Sequence, residues 1–595
     1  MNTINRLRIR LHKGDDGIAM VLVISISLIL MMMITVALSS TLSGVTKSRS
    51  DENWNGAIAA AYAGIEDYRS KIADDNRYYL FGNPLSSYSA ANVPASVLPT
   101  GTAANPAFGL GATGPWKQVS SSVGAFYRYE VDTTSYNSTG VLRVRSTGKV
   151  GDETRSVVAN LKPKGFIDFL YYTTYEIQDP VISGANAANC TKYAWAGRGN
   201  GSSCGELSFG VNDTINGPTH SNDTIRACGS TFAGAVTTGY KPTGTNPTYL
   251  RMDSNANACG GGTSETFTKG KPVWTGTLDL PPTNAKMRNE VRTDLADVQY
   301  PGCLYTGPTS IVFNSTGTVT IRSPWTKKTR VAGDPVTSGT DPAECGTPGV
   351  TGLGSATGQT FTLPPKNLVF VQNVTVIPTS STSTDPNVWK SGVYPSGITA
   401  GTCAAGNNIG YPATGETNIN VATAYGCFNG DLFVKGDVNA ETTLVAENYV
   451  YVTGDIKYVA SNPTAILGLV AQNSVLVYNP MKNCSSTCQS ILGGTNRRID
   501  AAILSVKHTF TVQNYNVGGD RGTLTVNGAI AQLFRGAVRS SSGSTINGGY
   551  AKNYVYEWRL QSVAPPKFLS PVSTTYQVRE VVEVKTAFNP NGSPS

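Results

Sequence analysis

Residues 18–44 contain no charged side chain, and "IAMVLVISISLILMMMITVALSSTLSG" is the feature that most restricts how the chain can fold. At a rise of about 1.5 Å per residue, about 20 helical residues cross a hydrocarbon core of roughly 30 Å. The run predicts a membrane-spanning helix over residues 18–42. A cleaved secretory signal has an apolar region of only about 7–15 residues and an A-x-A-like exit; here the run is longer, and "VALSS" at 36–40 matches that exit poorly. Arg6, Arg8, Arg10 and Lys13 precede the run. By the positive-inside rule they hold the leader on the cytoplasmic side and leave the remainder outside.

The helix is expected to continue beyond the membrane. "AIAAAYAGIEDYRSKI" at 57–72 is rich in alanine and places Ile58, Ala61, Ile65, Tyr68 and Ile72 on one face. Gly82, Asn83 and Pro84 break any helix that reaches them, so the helical segment is read as 18–75. A basic leader ending at Gly17, the opening "IAMVLVIS" and the later "AAAYAGIEDY" together resemble the N-terminal domain of PilX-like minor pilins of type IV pili. Asp15 and Asp16 stand where that family more often has basic residues, and Tyr62 where it more often has glutamate.

The resemblance implies that a membrane prepilin peptidase removes residues 1–17 by cutting after Gly17. A side chain there would obstruct the enzyme. The new amine, that of Ile18, would then be methylated. Other pilins are the implied partners through the helix, with the inner membrane as its location before assembly and a cell-surface filament afterwards. In major pilins the fifth mature residue is a glutamate that pairs with a neighbour's terminal amine; here that position is Leu22.

After the helix, "AFYRYEVDTT" alternates Tyr127, Tyr129 and Val131 onto one face, and "VLRVRSTGKVGDETRSVVANL" reads as two further strands around Gly148 and Gly151. Arg143 and Arg145 are read as the solvated face. A small antiparallel sheet under a long helix also resembles the pilin head, assigned to 76–164. Past Lys164 the text turns to Gly, Asn and Thr, and repeats appear. "LVAENYVYV" at 444–452 returns as "LVAQNSVLV" at 469–477, and "VKGDV" at 434–438 as "VTGDI" at 452–456. "LFVKGDV" at 432–438 is echoed by "LTVNGAI" at 524–530. Strands ending in turns at such spacings predict stacked coils, because one coil cannot bury its own inner face. The fold class is therefore an α+β pilin-like N-terminus followed by a mainly β, β-solenoid or β-helix-like passenger over 165–560, with C-terminal strands and a tail at 561–595.

All ten cysteines lie at or beyond Cys190. Disulfides fit an oxidising compartment, and the simplest pairing joins sequence neighbours: Cys190 with Cys204, Cys228 with Cys259, Cys303 with Cys345, Cys403 with Cys427, Cys484 with Cys488. With three histidines and no Cys-x-x-Cys with a histidine partner, no zinc site is expected. The net charge of +8 is thinly spread, which argues against a nucleic-acid groove. "THSND" holds the residue types of a hydrolase triad in His220, Ser221 and Asp223, but neighbours on a strand point to opposite faces. A polar turn is the expected role there, and packing or a surface position that of His508. Asp437 and Asp455, one possible coil apart, are the carboxylates to check for a glycan-cleaving β-helix, although Gly-Asp is first of all a turn. "DSNANACGGG" at 253–262 carries one carboxylate, too few for a calcium loop. No nucleotide motif, cofactor or metal is expected.

The sequence thus points to a non-enzymatic minor pilin or pseudopilin of a type IV pilus or type II secretion-like system. It is expected near the filament tip, carrying an adhesive passenger toward a surface ligand. The alternatives are a membrane-tethered glycan hydrolase or lyase and a DNA-capturing surface protein.

Overall fold

The computed structural model describes residues 18–595 apart from 75, 89–96, 102–103, 121–123, 135, 137–140, 164, 199–202, 212, 244–246, 261–263, 299, 418–424, 485–486, 543–544 and 570–575. The leader with Gly17, and the boundary residue Lys164, lie outside the described residues. The chain forms two compact units. One holds 143–160, 580–595 and the residues up to Asp132; the other holds 133–142 and 161–579.

The first unit is built on one uninterrupted helix, Ile18–Asp74, of 57 residues. Every side chain from 19 to 52 is exposed. Hydroxyls in this apolar stretch donate back into the helix: Ser25 to Val21 O (2.7 Å), Thr35 to Met31 O (2.9 Å) and Ser43 to Ser39 O (2.7 Å). Such bonds let serine and threonine enter lipid without an unpaired donor. The helix is long and apolar enough to cross a membrane.

Further along, Ala57, Ala60, Ala61, Ile65, Tyr68 and Ile72 are buried, a spacing of three to four that defines one face. Ile58, expected on that face, is only half-buried. The face packs on a five-stranded sheet ordered Lys117–Gln118, Ala125–Asp132, Leu142–Val150, Glu153–Pro163, Tyr576–Val584. The approach is set by small residues. A Cβ on Gly148 would lie 2.0 Å from Ala57 O and 2.3 Å from Ala61 N, and one on Gly64 would lie 2.2 Å from Ser146 Oγ. Tyr68 closes the contact against the rings of Tyr78 and Tyr129, at 5.5 and 5.4 Å.

The second unit is dominated by parallel ladders. In one, Cys303, Val369, Leu444, Leu469, Ile503, Ile530, Tyr171, Thr219 and Val236 follow each other in register. A second ladder runs Thr309, Leu432, Val450, Val475, Phe510. A third runs Ile456, Ile499, Val526, Tyr554, Ile215, Phe232, Phe267. Most of these side chains lie in one buried apolar cluster, as alternation along each strand requires.

The twenty-five-residue repeat is a true register, since Leu444 pairs with Leu469 and Val450 with Val475. The likeness of 432–438 to 524–530 is not: Leu432 stacks on Val450, whereas Leu524 stacks on Arg497 and Lys552. Ladder order also departs from chain order. Tyr171–Tyr175 lies against Gly519–Phe534 and not against Cys303–Thr306, so the first strands of the unit extend the stack from its last ones. Residues 278–298 then return along the outside. Asn284 Nδ2 donates to Ala446 O (2.8 Å), and Arg288 Nε to Gln372 Oε1 (2.9 Å).

Candidate functional site

The "THSND" segment is fully buried, and its residues separate as strand alternation demands. His220 sits over the Tyr172 ring at 5.7 Å, with Nδ1 2.8 Å from Thr237 Oγ1 and Nε2 2.9 Å from Asn222 Oδ1. Ser221 Oγ accepts from Asp223 N at 3.2 Å. The Asp223 carboxylate binds Ala194 N (2.7 Å), Glu176 N (3.0 Å) and the Arg198 guanidinium (2.7 Å). Both ring nitrogens of His220 are taken by Thr237 and Asn222, while Ser221 and Asp223 meet through the Asp223 backbone N–H and not through a histidine.

These contacts belong to a larger buried network. Arg198 also meets Glu206 at 2.9 Å, Arg226 meets Glu206 at 3.2 Å, and Arg535 meets Glu176 at 3.1 Å. Burial works against the Arg198 cation, but Asp223 and Glu206 outweigh it and hold its pKa above the usual arginine value. For Glu176 burial wins, and its pKa is raised from the ordinary glutamate value although Arg535 opposes this. Of these ion pairs the sequence reading named only Asp223, because Glu176, Arg198, Glu206, Arg226 and Arg535 are spread along the chain and carry no motif.

Asp437 and Asp455 are not opposed. A two-residue bulge follows Val434, so that Asp437 pairs with Lys457 in the ladder. The Asp455 carboxylate is engaged by Lys457 (2.9 Å), Arg497 (3.5 Å) and Arg498 N (3.1 Å). His508 Nδ1 lies 2.8 Å from Asp179 Oδ2. Asp253 Oδ1 accepts from Asn255 N and Asn257 N, each at 2.8 Å, which occupies it in a local turn. Arg145 is not a solvated residue, since it reaches buried Glu130 at 2.6 Å; Arg143 remains half-exposed near Asp132. No group of three or more His, Cys, Asp or Glu able to hold a metal occurs among the described residues.

The ten cysteines form the bonds Cys190–Cys204, Cys228–Cys259, Cys303–Cys345, Cys403–Cys427 and Cys484–Cys488. Leu22 is exposed on the helix, one turn from its start at Ile18.

No family model and no curated protein matches the chain. Among solved structures it is similar to the competence-associated pilin ComZ from Thermus thermophilus, at 11% identity, over 89% of this chain and 97% of that one, with a TM-score of 0.24. A likeness at that level identifies neither fold nor activity.

Proposed function

We propose that this protein is a minor pilin or pseudopilin: a membrane-anchored subunit, processed after Gly17, methylated at Ile18 and then assembled through its helix with other pilins. One observation carries the reading. A single helix is bare from 19 to 52 and buries only its later turns on its own sheet. A bare apolar helix must be covered by lipid or by other helices, and a pilin uses both in turn. The five-stranded sheet is then the pilin-like head, and the in-register ladders of 161–579 are the coils of a β-solenoid passenger that recognises a surface.

Leu22 supports a place at or near the filament tip. An acidic residue at mid-membrane costs about 2.5–3.5 kcal/mol on insertion scales unless it is paired. A subunit with no neighbour above is better without that glutamate, while its own Ile18 amine can receive the glutamate of the subunit below. Immunogold labelling of sheared filaments tests the placement. Gold at fibre ends supports it; regular decoration along the shaft rejects it.

A further inference from the structure

The buried segment 220–223 holds something at the surface. The loop closed by Cys190–Cys204 carries Tyr193 and Trp195. Their rings stack at 4.8 Å and 16°, and Tyr193 in turn meets Tyr175 at 5.3 Å, which stacks on Phe534 at 5.5 Å. Four rings thus run outward from buried Phe534 to Trp195, which is 43% exposed. Tyr193 covers one face of the indole, and its Nε1 edge donates to Asn222 O at 3.2 Å. The indole nonetheless stays partly open to solvent.

The loop is held from below as well. Asp223 Oδ1 accepts from Ala194 N at 2.7 Å, between the two aromatic residues. Asn222 uses its side chain on a second segment: Nδ2 donates to Leu278 O (2.7 Å), and Oδ1 accepts from Leu278 N (2.9 Å). The next residue, Asp279, is exposed and makes no ion pair among the described residues. Its charge acts on both Tyr175 and Tyr193. One buried asparagine therefore fixes a tryptophan and the backbone of an exposed carboxylate.

We propose that Trp195, backed by Tyr193 and with Asp279 carried on the segment that the same asparagine holds, is a binding platform for the apolar face of a neutral pyranose in a surface glycan. The axial C–H bonds of such a ring meet the electron-rich face of an indole favourably, and its hydroxyls donate charge-assisted bonds to a carboxylate. A ring already fixed by a disulfide, a carboxylate and an indole N–H bond loses little conformational entropy on binding. A nucleobase would also stack, but its phosphates need cations. Arg198 is committed to Glu206 and Asp223, and Lys192 is the remaining cation among the loop's described residues.

The proposal deepens the reading of residues 161–579 as a recognition body, and it is tested apart from pilus assembly. The full chain, purified in a non-glycosidic detergent, is titrated calorimetrically with cellotetraose, chitotetraose and maltotetraose, and with an oligothymidylate. At least one tetrasaccharide should bind. Trp195→Ala should weaken that binding by about tenfold or more, Asp279→Asn should weaken it less, and Trp195→Phe should largely retain it. Trp558→Ala, at another exposed tryptophan, should leave it unchanged. Should Trp195→Ala fail to fold, Asp279→Asn decides alone, and unaltered binding in that variant overturns the proposal. It is also overturned if no tetrasaccharide binds the unaltered chain, if folded Trp195→Ala binds as well as the unaltered chain, or if only the oligothymidylate binds. None of these results bears on leader cleavage, so the pilin reading stands or falls on its own measurement.

Discussion

Arg128 shows how far a side chain can depart from strand alternation. Tyr127, Tyr129 and Val131 point inward as the pattern of the sequence predicts, yet Arg128 between them is also fully buried. Its guanidinium donates to Pro115 O (2.9 Å), Gly111 O (3.0 Å), Gly114 O and Gly592 O (3.3 Å), and lies 4.2 Å from the Trp116 ring centre. Burial lowers its pKa to about 10, with no carboxylate partner among the described residues, still far above neutrality, so it is a cation serving main-chain acceptors. Arg128→Met should destabilise the first unit by roughly 2–4 kcal/mol, since four main-chain carbonyls lose the donor that a buried cation now supplies; an unchanged thermal midpoint would refute this account. Nothing in "YRYE" announces the role, because the covering residues, 111–116 and 592, come from outside the strand. His220 and Asp223 were legible as notable residues for the same limited reason: their types are visible in sequence, and their partners are not.

Between helix and sheet, the spacing of apolar residues at 57–72 was readable, and the side chains found buried keep that period. The closeness of the contact was not, because it depends on Gly148 having no side chain opposite Ala57 and Ala61. Gly148→Ala should force the helix outward and cost roughly 2–4 kcal/mol, seen as a lower thermal midpoint; wild-type stability would contradict the packing described here. In the ladders, the repeats at 444–452 and 469–477 place Asn448 and Asn473 at one turn, where Asn473 Nδ2 donates to Asn448 Oδ1. Asn448 Nδ2 in turn donates to Asp431 Oδ1 at 2.7 Å. Asp431 is wholly buried. That burial raises its pKa to about 7, against the opposing hydrogen bonds from Tyr449 N, Asn429 and Asn448. With the folded pKa above the unfolded value, the folded state binds the extra proton. Asp431 therefore contributes less stability as pH rises from about 4 to about 7, at up to about 1.4 kcal/mol per pH unit. Asp431→Asn keeps the acceptor and removes the charge. Denaturant melts of variant and wild type should diverge across that window, with the variant relatively more stable at pH 8. Parallel curves would show that Asp431 does not titrate there.

At the scale of the whole chain, local repeats revealed neighbouring strands of the parallel ladders but not the order of the ladders. A strand's stacking partner follows from which edge is left unpaired, and the edge that Tyr171–Tyr175 meets is supplied by Gly519–Phe534, more than three hundred residues later. The eighteen-residue spacing of the 434 and 452 segments misleads in the other direction, because the bulge after Val434 shifts Asp437 away from Asp455. All five disulfides fall within the 161–579 unit. At about 2–4 kcal/mol for each closed loop, reduction should lower the thermal transition of that unit and leave the helix-and-sheet unit unmoved in calorimetry. A common downward shift of both would contradict the division. The central claim concerns the other end of the chain, where a bare helix begins at Ile18. Mass spectrometry of the N-terminal peptide from surface-exposed protein tests it most directly. The account predicts a mature chain beginning with methylated Ile18, whose production is blocked when Gly17 is replaced by a bulky residue. A chain that retains Met1, or one that starts near Ser39, would contradict it.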